Sequence, residues 1–267
     1  MRTEVPSILE KICRVKAEEV VELKWSGMEA RYRAQVADMP PTRDFYQALS
    51  QPGMSLIAEF KQASPSKGDI RPDSSPEEIA RLYEECGASA ISVLTDEHFK
   101  GKLEFLQAIR DVVEIPLLRK DFIIDPAQIY EARAMGADAV LLIAAILSPA
   151  QIREYRDLAE SLGMHALVES HNEKELERAI RGRAKIYGIN NRNLSDFSTD
   201  RQTTLRLLTH IPEDALVVTE SAIHTPADVK ELSHPRVNAM LVGESIMSRE
   251  KNPTLADMRA HIRALLE

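Results

Sequence analysis

The chain has 267 residues, a formal net charge of −8, and 44% hydrophobic and 28% charged residues. This balance fits a soluble globular protein long enough to bury a large core. It argues against a sequence-independent grip on nucleic acid, which needs clustered positive charge, but leaves room for a small anionic substrate held by a few lysines and helix N-termini. Cys13 and Cys86 are too few for a disulfide framework and predict a reducing compartment. Met1-Arg2-Thr3-Glu4 lacks the apolar run of a signal peptide, and the longest apolar stretch, Ala139 to Leu147, is too short to span a bilayer. A cytoplasmic protein with no membrane attachment is expected.

Ile8, Leu9, Ile12, Val15, Val20 and Leu23 recur at helical spacing until Met39-Pro40-Pro41 breaks the pattern. About the first fifty residues are therefore expected to form a helical extension packed on the rest of the fold. Short apolar runs then alternate with amphipathic stretches. The strand candidates are Leu56–Phe60, Ala90–Leu94, Pro116–Arg119, Ala139–Ile143, Ala166–Val168, Ile186–Ile189, Leu216–Thr219 and Ala239–Val242. Near-continuous apolar runs suit parallel strands covered on both faces.

Helix starts between the runs share one form, a capping residue, proline, then an acid or amide. Ser75-Pro76-Glu77-Glu78, Asp125-Pro126-Ala127-Gln128 and Ser148-Pro149-Ala150-Gln151 show it in full. Thr225-Pro226-Ala227-Asp228 is a weaker copy, and Asn172 with Glu175 another. Gly87, Gly136 and Gly163 stand where left-handed C-terminal caps belong. Eight such units in a chain close to the roughly 250 residues of such folds predict an α/β protein, a single (β/α)8 TIM barrel over 1–267. An open doubly wound sheet would need a Gly-rich fingerprint after its first strand. Lys61-Gln62-Ala63-Ser64-Pro65-Ser66-Lys67-Gly68 is not one.

In a barrel, chemistry gathers at the C-terminal ends of the strands. Polar residues stand there repeatedly: Glu59 and Lys61, Arg119-Lys120-Asp121, Glu169, Asn190-Asn191-Arg192, Glu220-Ser221 and Gly243-Glu244-Ser245. Each has a bland explanation alone. Glu59 and Lys61 share one face of an extended segment and could be a structural ion pair. Lys120 could be a loop lysine, Glu169 a helix-start carboxylate, Asn190 a turn residue and Arg192 a surface cation. Their joint placement at one rim points to a site. Ser221-Ala222 and Gly243-Glu244 stand where the last two strands of such barrels cradle phosphate, with Gly243 admitting close approach of the backbone. Glu244 is expected to offer its N–H and not its carboxylate.

These residues resemble the indole-3-glycerol-phosphate synthase family across nearly the whole chain. The resemblance rests on Ile57-Ala58-Glu59-Phe60-Lys61, Ser64-Pro65-Ser66-Lys67-Gly68, Ser92-Val93-Leu94-Thr95-Asp96 and Leu118-Arg119-Lys120-Asp121-Phe122-Ile123. It continues through Gly136 to Ile143, Leu167-Val168-Glu169, Gly188-Ile189-Asn190-Asn191-Arg192-Asn193-Leu194, Glu220-Ser221 and Val242-Gly243-Glu244-Ser245. The resemblance implies cofactor-free ring closure of 1-(2-carboxyphenylamino)-1-deoxyribulose 5-phosphate, with loss of carbon dioxide and water, in tryptophan biosynthesis. It implies Lys120 as general acid, Glu169 in the later proton transfer and dehydration, and Lys61, helped by Arg192, on the substrate carboxylate. Glu59, Asn190 and Glu220 would hold the sugar hydroxyls and the lysines. Ser64, Ser221, Ala222, Gly243 and Glu244 would line the phosphate site, and Phe99, Phe122 and Leu194 the aromatic ring. No metal is implied. A monomer is expected, with association with other tryptophan-pathway enzymes left open.

Ala222 departs from the family pattern, where glycine usually follows Glu-Ser, and a positive φ there would be strained. Whether Glu59 or Glu169 is the principal base stays open. Two other readings compete. Phosphoribosylanthranilate isomerase chemistry would want a Cys–Asp acid–base pair, and no cysteine stands at a strand end here. A catalytically silent barrel serving as a binding subunit would be expected to lack a rim charge, and all are present.

Overall fold

The computed structural model describes residues 7–64, 68–193, 197–247 and 253–267. Met1 to Glu4, Pro65 to Lys67, Leu194 and the side chain of Ser64 lie outside that description. Helices α1 (Ser7–Trp25), α2 (Met28–Ala37) and α3 (Phe45–Leu49) precede the first strand. The eight barrel strands are β1 (Ser55–Phe60), β2 (Ala90–Leu94), β3 (Leu117–Lys120), β4 (Ala139–Ile143), β5 (His165–Ser170), β6 (Ile186–Asn190), β7 (Leu216–Glu220) and β8 (Ala239–Val242). Each pairs in parallel with its neighbours in sequence, and β1 pairs with β8 to close the barrel. Around it run α4 (Pro76–Glu85), α5 (Glu104–Arg110), α6 (Pro126–Ala134), α7 (Pro149–Ser161), α8 (Glu173–Arg181), α9 (Gln202–Leu208) and α10 (Pro226–Leu232). Helices α11 (Glu244–Met247) and α12 (Leu255–Leu266) follow β8.

Three strands have the bounds that hydropathy predicts. Four others run past the apolar stretch, so Lys120, Glu169, Asn190 and Glu220 belong to the ladder and not to the loops. Backbone pairing is indifferent to side-chain polarity, and the ladder continues as long as a neighbouring strand is there to pair. This holds the reactive side chains on rigid backbone.

The helix starts behave as their chemistry requires. The side chains of Ser75, Asp125, Ser148, Asn172 and Thr225 each accept a backbone N–H of the first turn. Thr225, the weaker copy in sequence, forms a full capping box with Asp228. Gly87 and Gly136 end their helices at φ of 91° and 92°, a conformation open to glycine at little cost.

The side chains sort into two apolar layers. Alternate strand residues such as Ile57, Leu118, Leu141, Leu167 and Leu241 fill the lumen. The others, including Phe60, Val93, Leu142 and Val168, pack under the helices. At the N-terminal end of the barrel, Phe45 and Leu49 of α3 are fully buried and close the lumen. Helix α2 lies along α6, with the Arg33 guanidinium 3.9 Å from the Tyr130 ring centre. Helix α1 reaches the opposite end, where Lys16 contacts Asp96 and Asp121 in the loops after β2 and β3. Among the described residues, no helix is long and apolar enough to cross a membrane.

Candidate active site

One pocket opens at the C-terminal ends of the strands. Its polar wall includes Glu59, Lys61, Lys120, Glu169, Asn190 and Arg192; Leu94, Leu141, Ile143 and Leu241 form an apolar floor. From β1, Glu59 points inward and Phe60 outward, where it meets Phe105 edge-on. The Glu59 carboxylate takes Lys61 Nζ at 3.2 Å and accepts from the Ser92 hydroxyl at 3.3 Å. A Cβ on Gly243 would come within 2.8 Å of the Glu59 side chain. Gly243 thus makes room for a carboxylate as well as lining the pocket, a second reason for glycine beyond approach to an anion.

Lys120 ends β3. Its Nζ lies 3.2 Å from Glu169 Oε2 and 3.6 Å from Glu220 Oε2. Burial alone would lower the Lys120 ammonium, yet the carboxylates of Glu169, Glu220 and Glu59 outweigh it and raise it above the ordinary lysine value. Burial and the Glu169 carboxylate together push the Glu220 carboxyl well above the carboxylate range. Glu169 goes the other way: burial opposes ionisation, but Lys120 and then His171 bring it below its ordinary value. The two carboxyls thus shift in opposite directions and titrate as one coupled pair beside Lys120. Glu220 sits beneath the pocket wall and is 1% exposed. A Cβ on Gly188 would meet its Oε1 at 2.2 Å, so a missing side chain on β6 creates its space. Asn190 donates to Glu169 Oε2 at 3.3 Å, and its side-chain oxygen accepts the Arg192 N–H at 3.0 Å.

Beyond β7, Ser221 and Ala222 both adopt positive φ, 67° and 62°. Asn191 props this turn: its side-chain amide donates to Thr219 Oγ1 at 3.0 Å and to the Ser221 carbonyl at 3.3 Å. Ser221, Ala222, Gly243 and Glu244 line the same end of the pocket as Arg192. The Glu244 carboxylate is turned to the Arg192 guanidinium at 3.1 Å. On the far side, Phe99 and Phe122 stack with ring centres 6.2 Å apart and planes 25° apart. Each follows a buried aspartate. Asp96 caps the short turn Glu97–Phe99, and Asp121 accepts the Phe122 N–H at 2.8 Å.

The pocket assembles all the residues to which the resemblance gives a site role except three: Glu220 lies beneath it, and Leu194 and the Ser64 side chain are outside the described residues. Five contributors carry no strong local signal: Lys16, His171, Gly188, Asn191 as a prop, and Phe197, which lines the pocket and is 38% exposed. Asn191 at least stands beside Asn190 at a strand end. For the others the partner is set by topology.

A family model described as indole-3-glycerol phosphate synthase matches residues 9–265. The chain belongs to this family. The indole-3-glycerol phosphate synthase of Chlorobaculum tepidum is 48% identical over 246 residues, covering 91% of this chain and 96% of that protein. The Azoarcus enzyme of the same name is 48% identical over 265 residues, covering 97% and 98%. Solved structures add the fold alone. KGPDC from Streptococcus mutans matches at a TM-score of 0.58 and 11% identity, covering 79% of this chain and 95% of that one. Thiamine phosphate pyrophosphorylase from Pyrococcus furiosus matches at 0.56 and 16%, covering 79% and 93%. Membership spans the extension as well as the barrel, since the family match begins within α1.

Proposed function

We propose that this chain catalyses the family reaction: ring closure of 1-(2-carboxyphenylamino)-1-deoxyribulose 5-phosphate to indole-3-glycerol phosphate, carbon dioxide and water. The observation that carries the residue roles is Lys120, a half-buried ammonium facing Glu169 and Glu220 over an apolar floor. As the aryl carbon attacks the ketone carbon, Lys120 gives its proton to the ketone oxygen. The carboxylate then leaves as carbon dioxide and its bonding pair returns to the ring. The new hydroxyl departs as water while the adjacent carbon loses a proton, Glu169 carrying that proton from carbon to the leaving oxygen, and Lys120 is reprotonated from solvent. Lys61 and Arg192 meet the substrate carboxylate. Ser221, Ala222, Gly243 and the Glu244 N–H take the phosphate, and Phe99 with Phe122 flank the aryl ring.

A cytoplasmic setting goes with this reading, because Cys13 and Cys86 are both free thiols. The test is to add the substrate and follow indole fluorescence; folded protein with no signal overturns the reading. Within an active enzyme, Lys120→Ala is expected to cut kcat at least about 100-fold with KM little changed. Near-normal turnover would remove Lys120 from the role of acid.

A further inference from the structure

His171 follows β5 directly and precedes the cap of α8. Its side chain is 7% exposed and lies between two carboxylates. Nε2 stands 3.4 Å from Glu169 Oε1, and Nδ1 stands 2.8 Å from Glu175 Oε2. Glu175 is firmly placed. It occupies the third position of α8, accepts the His171 backbone N–H at 2.8 Å and takes the Asn172 side-chain amide at 2.6 Å. The capping carboxylate has reached back one residue further than a capping box requires, onto both the backbone and the ring of His171. Glu169 thus has Lys120 on Oε2 and the imidazole on Oε1.

We propose that His171 is a positioning residue for this reaction: an imidazolium clamped by Glu175, it holds Glu169 ionised and turned toward Lys120. The inference rests on the proposed reaction and on the role of Glu169 within it. The charged groups facing the ring come from three elements, Glu169 on β5, Glu175 on α8 and Lys120 on β3. Burial disfavours the imidazolium and Lys120 opposes it, yet Glu175 and Glu169 outweigh both and raise the group above the ordinary histidine value. Without it, Glu169 loses one of the charges that keep it ionised, and the base is lost at a higher pH.

The test combines kcat–pH profiles on the proposed substrate with 15N NMR of the histidine rings in the wild-type enzyme. His171→Gln keeps an amide donor and removes the charge. Its acidic limb is expected to move up by about one pH unit, so that kcat falls about tenfold at a fixed pH on that limb and little at neutral pH, with KM nearly unchanged. Glu175→Gln, which leaves the ring in place, is expected to shift the limb in the same direction by less, and it serves if His171→Gln fails to fold. The NMR is expected to show both His171 nitrogens protonated at pH 7. An unshifted acidic limb in folded His171→Gln overturns the proposal, as does a neutral ring at pH 7. A wild-type enzyme without turnover would instead refute the reaction, and the NMR would still decide the charge on His171.

Discussion

Ala222 shows how a single Cβ can be argued by magnitude. At φ of 62° an L-residue is strained by roughly 1–2 kcal/mol. Replacing it with glycine relieves that strain but frees the unfolded chain by about 0.5–1 kcal/mol and gives up a buried methyl worth about 0.8 kcal/mol. These effects nearly cancel, so Ala222→Gly is expected to change stability by less than about 0.5 kcal/mol. Ala222→Val has no such compensation. A β-branched side chain at positive φ is a true outlier, and a loss of about 2 kcal/mol with a raised KM for the phosphorylated substrate is expected. Thermal melts and steady-state kinetics on the two variants check this; a valine variant as stable as wild type would mean that the turn has another conformation. The question at Ala222 comes from the family resemblance, in which glycine follows Glu-Ser, and the structure supplies the positive φ. The space that Gly188 leaves for Glu220 is not readable from sequence, because it depends on which strands become neighbours.

At the scale of elements, α1 is joined to the site through one side chain. Lys16 is 2% exposed and reaches Asp96 at 2.9 Å and Asp121 at 3.0 Å. Those two aspartates anchor the backbone that carries Phe99 and Phe122. Asp121 also pairs with Arg119, and despite burial these cations lower its carboxyl to about 2. Lys16→Met keeps the volume and removes the charge. It leaves Asp96 buried beside His98, whose ring at 3.0 Å compensates only when protonated. A loss of about 3 kcal/mol is expected, as for breaking a buried ion pair from one side. Hydrogen exchange should rise in α1 and in the two phenylalanine loops while the barrel strands stay protected, and kcat/KM should fall. Uniform loss of protection would mean that α1 does not act as a separate element. The sequence marks α1 by its apolar period but gives Lys16 no role. A helical stripe reports which face is buried and is silent on a lysine that finds its partners on distant loops.

For the molecule as a whole, the two ends of the barrel should respond to substitution in opposite ways. The alternation of short apolar runs with capped helices makes the closed barrel and its polar rim legible, because period and capping are local properties. The proton distribution at the rim is not legible, since it depends on Glu169, Glu220 and Lys120 meeting from three strands. At the closed end, Phe45 is fully buried, and Phe45→Ala should lower stability by about 3–5 kcal/mol without altering turnover of the folded enzyme. At the rim, Glu220 has a raised carboxyl in the folded state. Its contribution to stability is fully present below the ordinary value of 4.5 and is lost as pH rises through the folded value, so at neutral pH the group favours the unfolded chain. Glu220→Gln should therefore raise stability at pH 7 by about 1–2 kcal/mol, flatten that part of the pH dependence, and lower turnover. Melting curves between pH 4 and 8, paired with activity, separate the outcomes. A destabilised Glu220→Gln at pH 7 would mean that Glu220 is ionised in the folded protein and that Lys120 faces two carboxylates.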